Sequence, residues 1–247
     1  MKGKTDLLFG YHSVSEAIKA NKRRIFKILI STRRSKKRSE KVAHLAGQWK
    51  IPIEFVSPEK LDRLTNHSRH QGLAANVSSF PTKKAADVIS YIQKKEAPVF
   101  ILILDSIEDP HNLGTLIRTG VCAGADYILI PKDRSAGPTA AVSRSSAGAM
   151  EHADIFIVTN TASVLRSLKK NDVWISGLDA DGDISLFKSD LTGNIALVIG
   201  GEHKGIRPGV KKECDFLLSL PNNGKINSLN ASVAGGIALY EALRQRR

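Results

Sequence analysis

The chain has 247 residues, 42% of them hydrophobic, which suffices for one large or two modest domains with buried cores. No apolar run is long enough to span a bilayer, and the first residues lack the apolar stretch of a secretory signal, so we expect neither. The two cysteines, Cys122 and Cys214, lie among apolar residues. They are too few for a disulfide framework, and we expect two core thiols in a protein of the reducing cytoplasm.

Positive charge is concentrated in the first part of the chain. Residues 1–97 carry 21 Lys/Arg against 8 Asp/Glu, whereas residues 98–247 carry 16 of each, so the formal net charge of +13 belongs to the first part. Within it, residues 22–41 hold ten basic side chains and the single acid Glu40. A solvated face would explain such a run by itself, but the neutral second half favours a polyanion partner for the first.

The first 80 residues predict a small α/β unit. The segment 51–57 is rich in branched and aromatic residues, which favours a strand, and Pro58 opens the helix that follows it. The predicted elements are a helix at 13–20, a strand at 24–30, a helix at 39–48, a strand at 51–57, a helix at 58–64 and a strand at 72–78. The small, polar residues that follow predict three parts: an N-terminal domain at 1–79, a linker at 80–97 and a second domain at 98–247.

The second domain begins with a continuous apolar run, VFILILD, which is typical of a strand covered on both faces. Alternating strands and helices then predict a mostly parallel, doubly wound α/β sheet. The predicted strands are at 99–105, 127–131, 155–158, 173–178, 195–200 and 216–220. The predicted helices are at 88–95, 113–124, 139–149, 161–170 and 228–246.

Three of these strands end in polar, glycine-containing loops, at 105–119, 200–206 and 221–232. Because ligands bind at the carboxyl ends of strands in open α/β sheets, the sequence predicts a ligand site built from these loops. The chain contains neither the G-x-G-x-x-G dinucleotide fingerprint nor a Walker loop, so those two phosphate-binding motifs do not explain the site.

Each loop, taken alone, leaves two interpretations open. Asn112 precedes the apolar positions of a helix and could be only its N-cap. Arg118 lies off the apolar stripe of that helix and would suit a phosphate or an anion formed during a reaction. Gly200 and Gly201 permit positive φ and the close approach of a ligand. Glu202 could simply hold its loop by accepting backbone N–H bonds.

The third loop has the same ambiguity. Ser228 and Asn230 precede an apolar stripe in the last helix, and they could be only a helix cap. Each loop therefore predicts a site of some kind, without its chemistry.

Taken together, the three loops resemble the motifs of one family. An Asn followed six residues later by an Arg, then IGGEHKGI, then LPNNGKINSLNASVAGGIALYEALRQ, is similar to the SpoU-type branch of the SPOUT superfamily. SAGAMEH (146–152) also resembles a segment that this family has between the first two motifs. In the N-terminal part, LFGYHSVSEAI (8–18) and HQGLAANV (70–77) resemble the RNA-recognition domain of the two-domain members that act on 23S ribosomal RNA.

The resemblance implies an RNA 2′-O-ribose methyltransferase that uses S-adenosylmethionine, with a small ribosomal-protein-like RNA-binding domain before a domain with a deep trefoil knot. It implies a homodimer whose interface completes the active site, and the apolar face of the last helix is a suitable dimer element. A guanosine of large-subunit ribosomal RNA is the implied substrate, in the cytoplasm, with neither a metal nor a membrane partner.

By motif position, the resemblance also implies roles for individual residues. The resemblance implies that Arg118 activates the 2′-hydroxyl. Because arginine is effectively always protonated, we expect it to stabilise the developing alkoxide as a cation, and the proton acceptor stays open between a neighbouring group and a water. Asn112 and Asn230 would orient Arg118 and the ribose, and Glu202 and Ser228 would fix the loops and the partners of the arginine. The implied cofactor-binding residues are Gly200, Gly201, Leu220, Ser228, Leu229 and Asn230. The candidate RNA-binding residues are Arg23, Arg24, Arg33, Arg34, Lys36, Lys37, His70 and Gln71.

Three alternatives stay open. One is a non-catalytic RNA-binding or ribosome assembly protein, although the motif residues are all present. Another is an enzyme that methylates tRNA or a base, although the two-domain layout favours ribosomal RNA and the SLN loop favours ribose. The third concerns a metal: His67 and His70 could form half of a zinc site, but no further ligand is near them in the sequence, and contact with RNA is the preferred interpretation.

Overall fold

The computed structural model describes residues 5–33, 36–202, 204–224 and 229–247, without the side chain of Lys36. By its internal contacts the chain divides into two compact units. The first unit contains the described residues through Pro81 together with Pro138–His152, and the second contains Thr82–Gly137 and Ala153–Arg247. Each unit has its own hydrophobic core.

The N-terminal part alternates between strands and helices. In chain order these are β1 (Thr5–Phe9), α1 (Tyr11–Ala20), β2 (Ile25–Ser31), α2 (Lys36–Gln48), β3 (Ile53–Val56), α3 (Pro58–Leu64) and β4 (Leu73–Ser78). The strands form one sheet in the order β1-β4-β2-β3. Strands β1 and β2 run antiparallel to β4, and β3 runs parallel to β2. The sequence pattern does not predict β1, because its five residues show no two-residue alternation.

Both faces of this sheet are packed. Ile28 and Ile30 of β2 lie in a cluster with residues of α1 and α2, whereas Leu29 packs with Leu61 of α3. Successive side chains of a strand point to opposite faces. The apolar run in β2 therefore contributes to two cores, one on each side.

The rest of the chain follows the predicted alternation. In chain order its elements are β5 (Lys83–Lys84), α4 (Val88–Gln93), β6 (Phe100–Asp105), α5 (Pro110–Cys122), β7 (Tyr127–Pro131), α6 (Ala140–Ser145), β8 (Ile155–Val158), α7 (Thr161–Lys169), β9 (Trp174–Leu178), β10 (Ile184–Ser185), β11 (Ile195–Gly200), α8 (Pro208–Lys211), β12 (Phe216–Ser219) and α9 (Ala231–Gln245).

The strands of the second unit form a single sheet in the order β10-β12-β9-β11-β6-β7-β8-β5. Every pairing described in it is parallel, which confirms the predicted α/β sheet. Strands β6 and β11 are buried along their whole length. The chain runs from β6 through β7 to β8 on one side, and β11 and β9 lie on the other. The strand order therefore reverses between β6 and β11, where such sheets bind ligands.

Residues 138–152 follow β7 in the chain but belong to the first unit. A buried ion pair holds them there: Arg23 donates to Glu151 through Nε (2.9 Å) and Nη2 (2.6 Å). Both side chains are 1% exposed, and the Ser143 hydroxyl donates to the same carboxylate at 2.6 Å. This network joins residues 128 positions apart in the sequence.

The helix predicted at 139–149 is shorter in the structure. Helix α6 ends at Ser145, and a 3-10 turn occupies Ala149–His152. Ala147 and Gly148 between them adopt φ values of +52° and +83°, which end a right-handed helix.

The predicted linker at 80–97 also differs, since it joins the second unit from Thr82 onward. Strand β5 pairs with β8, and Val88 and Ile92 of α4 lie in the core. The pattern does not predict β10 or α8, because two and four residues are too short to show a period. In the part of the chain that the structure describes, no helix has the length and apolar character needed to cross a membrane.

Candidate active site

The three loops predicted to form a site follow β6, β11 and β12 at the carboxyl edge of the sheet. Strands β6 and β11 are neighbours, and their last residues, Asp105 and Gly200, are paired in register. Helix α5 begins after the first loop and α9 after the third. The two helices pack closely at Gly235 of α9, where an added Cβ would lie only 2.5 Å from a Leu116 methyl of α5. This packing draws the starts of both helices together.

Asn112, Glu202 and Asn230, one from each loop, form a hydrogen-bonded cluster. The Asn112 Nδ2 donates to Glu202 Oε1 at 2.6 Å, and the Asn230 Nδ2 donates to the same oxygen. The two asparagines also contact each other, with 3.4 Å between Asn230 Nδ2 and Asn112 Oδ1. One carboxylate oxygen thus joins Asn112 to residues that lie 90 and 118 positions further along the chain, Glu202 and Asn230.

The interpretation of Asn112 as a helix cap is wrong. Helix α5 begins one turn earlier than predicted, with Pro110 in its first turn and Asp109 as its N-cap. The Asp109 carboxylate accepts from the backbone N–H groups of His111 (3.2 Å) and Asn112 (3.1 Å). Because Asp109 satisfies the helix start, the side chain of Asn112 is available to bind Glu202.

Asn230 does cap its helix, and it has a second contact as well. Its Oδ1 accepts from the backbone N–H groups of Ser232 (2.9 Å) and Val233 (3.3 Å) at the start of α9. Its Nδ2 binds Glu202. Within the described residues, the partners of the Glu202 carboxylate are therefore these two side-chain amides, and not the backbone N–H groups of the alternative interpretation. Ser228, the other residue predicted at this loop, lies outside the described residues.

Arg118 lies on the exposed side of α5, next to the buried Leu116 and Ile117. Within the described part of the chain it has no hydrogen-bond or ion-pair partner. The structure thus brings Asn112, Glu202 and Asn230 together and leaves the Arg118 guanidinium directed to solvent. An unpaired guanidinium remains available to an anionic group of a ligand.

A cavity of about 880 Å³ opens at the same edge of the sheet. Of the predicted cofactor residues, Gly200, Gly201, Leu220 and Leu229 line it, and Asn230 is not among the described residues that do. Glu202 lines the cavity and also belongs to the cluster with the two asparagines. Cluster and cavity are therefore adjacent parts of one site.

Gly200 and Gly201 are required by close packing. A Cβ on Gly200 would lie 2.1 Å from the backbone carbon of Gly205, and one on Gly201 would lie 2.3 Å from the carbonyl oxygen of Ser106. Neither position has room for a side chain, and neither backbone contact can yield easily. The absence of side chains lets the loop fold back on itself beside the cavity.

Two parts of the site were not predicted from the sequence: the turn after β9 and the helix α8. Asp179, Asp181, Lys211 and Lys212 line the cavity, and Lys211 Nζ lies 2.8 Å from Asp179 Oδ2. This hydrogen bond raises the pKa of Lys211 above its usual range. The acidic segment DADGD (179–183) could have indicated this part of the site. It directly follows a predicted strand, and so it lies at the same carboxyl edge of the sheet as the other loops.

The predicted RNA-binding residues of the basic run have different surroundings. Arg24, Arg33 and Lys37 are exposed: the Arg24 guanidinium lies 5.1 Å from the centre of the Phe26 ring, and the Arg33 side chain is 80% exposed. The prediction that Arg23 binds RNA is wrong, because its side chain is buried against Glu151 and cannot reach a phosphate. Arg34 and the side chain of Lys36 lie outside the described residues.

His70 and Gln71 are held within the first unit. His70 Nε2 lies 2.9 Å from Asp62 Oδ1, and its Nδ1 accepts from the backbone N–H of Gly72 at 2.8 Å. Gln71 Oε1 accepts from the backbone N–H of Tyr11, the first residue of α1, at 3.1 Å. Both ring nitrogens of His70 are thus occupied, and contact of these two residues with RNA stays a prediction.

The two cysteines differ, and the prediction that both are core residues is wrong for one. Cys122 is exposed at the end of α5. Cys214 is half-buried, and burial together with the neighbouring Asp215 raises its pKa to about 12. Around His67 and elsewhere in the described ranges, no three His, Cys, Asp or Glu side chains are grouped so as to hold a metal ion.

The fold and the site define a two-unit α/β protein with a polar cluster at the switch point of its parallel sheet and a cavity beside it, at the carboxyl ends of β9, β11 and β12. The chain belongs to the SpoU rRNA Methylase family, whose model matches residues 99–240. A second model, for RNA 2′-O ribose methyltransferase substrate binding, matches residues 7–83.

Individual relatives agree with this assignment. The chain is 39% identical to YacO of Bacillus subtilis, named as a TrmH family tRNA/rRNA methyltransferase, over 100% of this chain and 98% of that one. It is 38% identical to the 23S rRNA (guanosine-2′-O-)-methyltransferase RlmB of Shewanella oneidensis, over 99% of both chains. Among solved structures, the SpoU methyltransferase AviRb from Streptomyces viridochromogenes, crystallised with AdoMet, has a TM-score of 0.80 at 23% identity, covering 97% of this chain and 89% of that one. This last likeness shows the fold.

Proposed function

We propose that the protein transfers a methyl group from S-adenosylmethionine to the 2′-hydroxyl of a ribose in RNA, and that a guanosine of large-subunit ribosomal RNA is the substrate. Family membership and the names of relatives that align end to end support this reaction. The observation that carries it is the junction of the Asn112–Glu202–Asn230 cluster with the cavity at Glu202. It puts groups able to orient a ribose beside a space for a cofactor.

The cavity fits S-adenosylmethionine in size and chemistry. About 880 Å³ lies within the range of cofactor sites. Leu220 and Leu229 provide apolar walls, and Gly200 and Gly201 expose backbone that can bind an adenosine or an amino acid group. When bound, this cofactor supplies a methyl group on a cationic sulfonium, already reactive toward an oxygen nucleophile.

The demanding part of the reaction is the nucleophile, because a ribose hydroxyl is only weakly acidic. Arg118 is effectively always protonated, so it acts as a cation and not as a base. We assign it to stabilising the developing alkoxide, for which one placed donor contributes about 3–4 kcal/mol. Asn112 and Asn230 orient the ribose, and Glu202 fixes both asparagines through a single oxygen. From its motif position, Ser228 is assigned a role in fixing the loop that carries Asn230.

The first unit is proposed to hold the RNA. Its surplus of basic residues attracts the phosphate backbone, and Arg24, Arg33 and Lys37 are the described candidates on its surface. Gln71 and His70 stay candidates at the nearby 66–72 loop. Ribosomal RNA as substrate implies a cytoplasmic protein.

A homodimer is proposed through the exposed face of α9. Val233, Ile237 and Tyr240 are 51%, 37% and 52% exposed, although a helix of a monomer would turn such residues inward. The small residues Gly235 and Ala238 are buried instead. A second copy that covers this face would bring further groups to Arg118. We also propose that the second unit contains the deep trefoil knot that the resemblance to the family implies.

Methyl transfer in vitro tests the function. Purified protein is incubated with tritium-labelled S-adenosylmethionine and with an unmodified transcript of large-subunit ribosomal RNA, and tRNA serves as the competing substrate. Label in ribosomal RNA is the expected result. Label confined to tRNA would support the tRNA enzyme instead, and RNA binding without transfer would support a non-catalytic assembly protein.

A further inference from the structure

The segment 206–212, which contains α8 and forms one wall of the cavity, is attached at both ends by ion pairs. At its start, Arg207 Nε donates to both carboxylate oxygens of Asp105, at 2.9 and 3.1 Å, and Arg207 Nη2 donates to Asp105 as well. The Arg207 backbone N–H donates to the same carboxylate at 3.0 Å. Asp105 is the last residue of β6, and its side chain is fully buried.

Arg207 has a further partner on another element. Its Nη2 donates to the Thr161 hydroxyl, at the start of α7, at 3.0 Å. A guanidinium presents several donors in a fixed plane, so it can bind a carboxylate with two nitrogens and a hydroxyl at the same time. A lysine could not keep this geometry.

The other end of the segment is attached to the turn after β9. Lys211 Nζ lies 2.8 Å from Asp179 Oδ2. Asp179 is itself fixed, because its backbone N–H donates to Leu218 O (2.9 Å) and its Oδ1 accepts from the Asp181 N–H (3.1 Å). Strand β11 lies between β6 and β9, so the chain that leaves the middle strand is bound to the strand end on either side.

The backbone beside this attachment is strained. Ser106, directly after Asp105, has a φ of +61°, and its hydroxyl is buried without a hydrogen-bond partner among the described residues. Its carbonyl oxygen occupies the space in which Gly201 would carry a Cβ. Such an arrangement persists only where its surroundings enforce it. The Asp105–Arg207 ion pair lies one residue away and crosses between the same two loops.

We propose that Arg207 is a positioning residue for the cofactor. It binds Asp105 and Thr161 so that the loop at 200–206 keeps the shape in which Gly200, Gly201 and Glu202 line the cavity. Among the described residues, those that line the cavity do not include Arg207, so it acts through the loop. The inference rests on the proposed function, in that the cavity is taken to hold S-adenosylmethionine.

Binding of S-adenosylhomocysteine, the product of methyl transfer, tests this inference without turnover. Calorimetry compares wild type, Arg207→Met, Arg207→Lys and Thr161→Val, at a temperature below the melting point of each variant. Arg166→Met is the matched control, because this exposed arginine of the same unit pairs with Glu213 at 2.6 Å, and neither residue lines the cavity or belongs to the loop at 200–206. Affinity for RNA is measured in parallel by filter binding.

The expected loss of cofactor affinity is about tenfold or more for Arg207→Met, because the wall is no longer preorganised. Arg207→Lys and Thr161→Val should weaken binding by about threefold, and Arg166→Met should leave it unchanged. Affinity for RNA should stay within about twofold throughout. Ethylguanidinium added to Arg207→Ala should restore part of the affinity for the cofactor product, which a general loss of stability would not allow.

The outcomes separate the two proposals. A wild-type protein that does not bind S-adenosylhomocysteine would contradict the proposed function itself. A wild type that binds it, with Arg207→Met binding equally well, would overturn the role of Arg207 alone. If Arg207→Met does not fold, Arg207→Lys and Thr161→Val decide, since both keep Asp105 near a cation. A lower melting point with unchanged affinity in these two would also overturn the inference.

Discussion

Replacing either partner of the buried Arg23–Glu151 pair should destabilise the first unit strongly. Removal of one partner of a buried ion pair typically costs about 3–5 kcal/mol, because the other charge stays buried and uncompensated. Arg23→Met should lie at the upper end of this range, since the Ser143 hydroxyl is then the remaining partner of Glu151 among the described residues. Glu151→Met should lie at the lower end, because Arg23 keeps Asp6 at 3.7 Å and the Ser78 carbonyl at 3.2 Å.

The double variant Arg23→Met/Glu151→Met should cost much less than the sum of the two single changes, because two apolar side chains then replace two charges. Urea unfolding measures each free energy in a Trp174→Phe background, in which the fluorescence of Trp49 reports on the first unit alone. The exposed neighbour Arg24 provides the control, because Arg24→Met should lower the free energy of unfolding by less than about 0.5 kcal/mol. Single costs below about 1 kcal/mol, or a double variant equal to the sum, would refute the reasoning.

Other predictions concern the site and the surface. Arg118→Ala should lower kcat by about 100-fold or more while S-adenosylhomocysteine still binds, and turnover near the wild-type rate would remove Arg118 from the mechanism. RNA affinity should fall steeply as salt rises, with a shallower slope for Arg24→Ala, and a flat salt response would contradict the phosphate contacts. Tyr240→Asp should convert a dimer to monomers in light scattering, and an unchanged mass would exclude the α9 face. At pH 8, Ellman's reagent should label Cys122 quickly and Cys214 only on unfolding. The Cys214 thiol, with a pKa of about 12, is almost entirely protonated at that pH and therefore unreactive. Rapid labelling of the folded Cys122→Ser variant, in which Cys214 is the remaining thiol, would contradict this prediction.

The parallel sheet could be predicted because its signal is local. A run such as 195–200 is apolar at every position, as a strand covered on both faces must be, and the predicted bounds of β7, β8 and β11 coincide with the observed ones. The site loops could be located for the same reason, since each follows such a run. Short elements such as β10 have no period to detect and depend on a neighbouring strand for their order.

The contacts inside the site could not be predicted from the pattern. Asp105 and Arg207 are separated by 102 residues, and nothing in either neighbourhood indicates the other as its partner. Composition misled in the same way at Arg23, which lies in a run of ten basic residues yet is buried, because one acid far along the chain pairs with it. Cys122 lies among small and apolar residues but on the exposed side of its helix. Which side of an element is covered depends on tertiary packing.

The position of the transferred methyl group tests the central claim most directly. Ribosomal RNA labelled by the protein with tritiated S-adenosylmethionine is hydrolysed in alkali, which cleaves next to every free 2′-hydroxyl and leaves ribose-methylated links intact. We predict that the label appears in an alkali-resistant dinucleotide whose first nucleoside is guanosine, and that Arg118→Ala yields about a hundredth as much or less in the same time. Label released entirely as mononucleotides would show methylation of a base and would contradict the account.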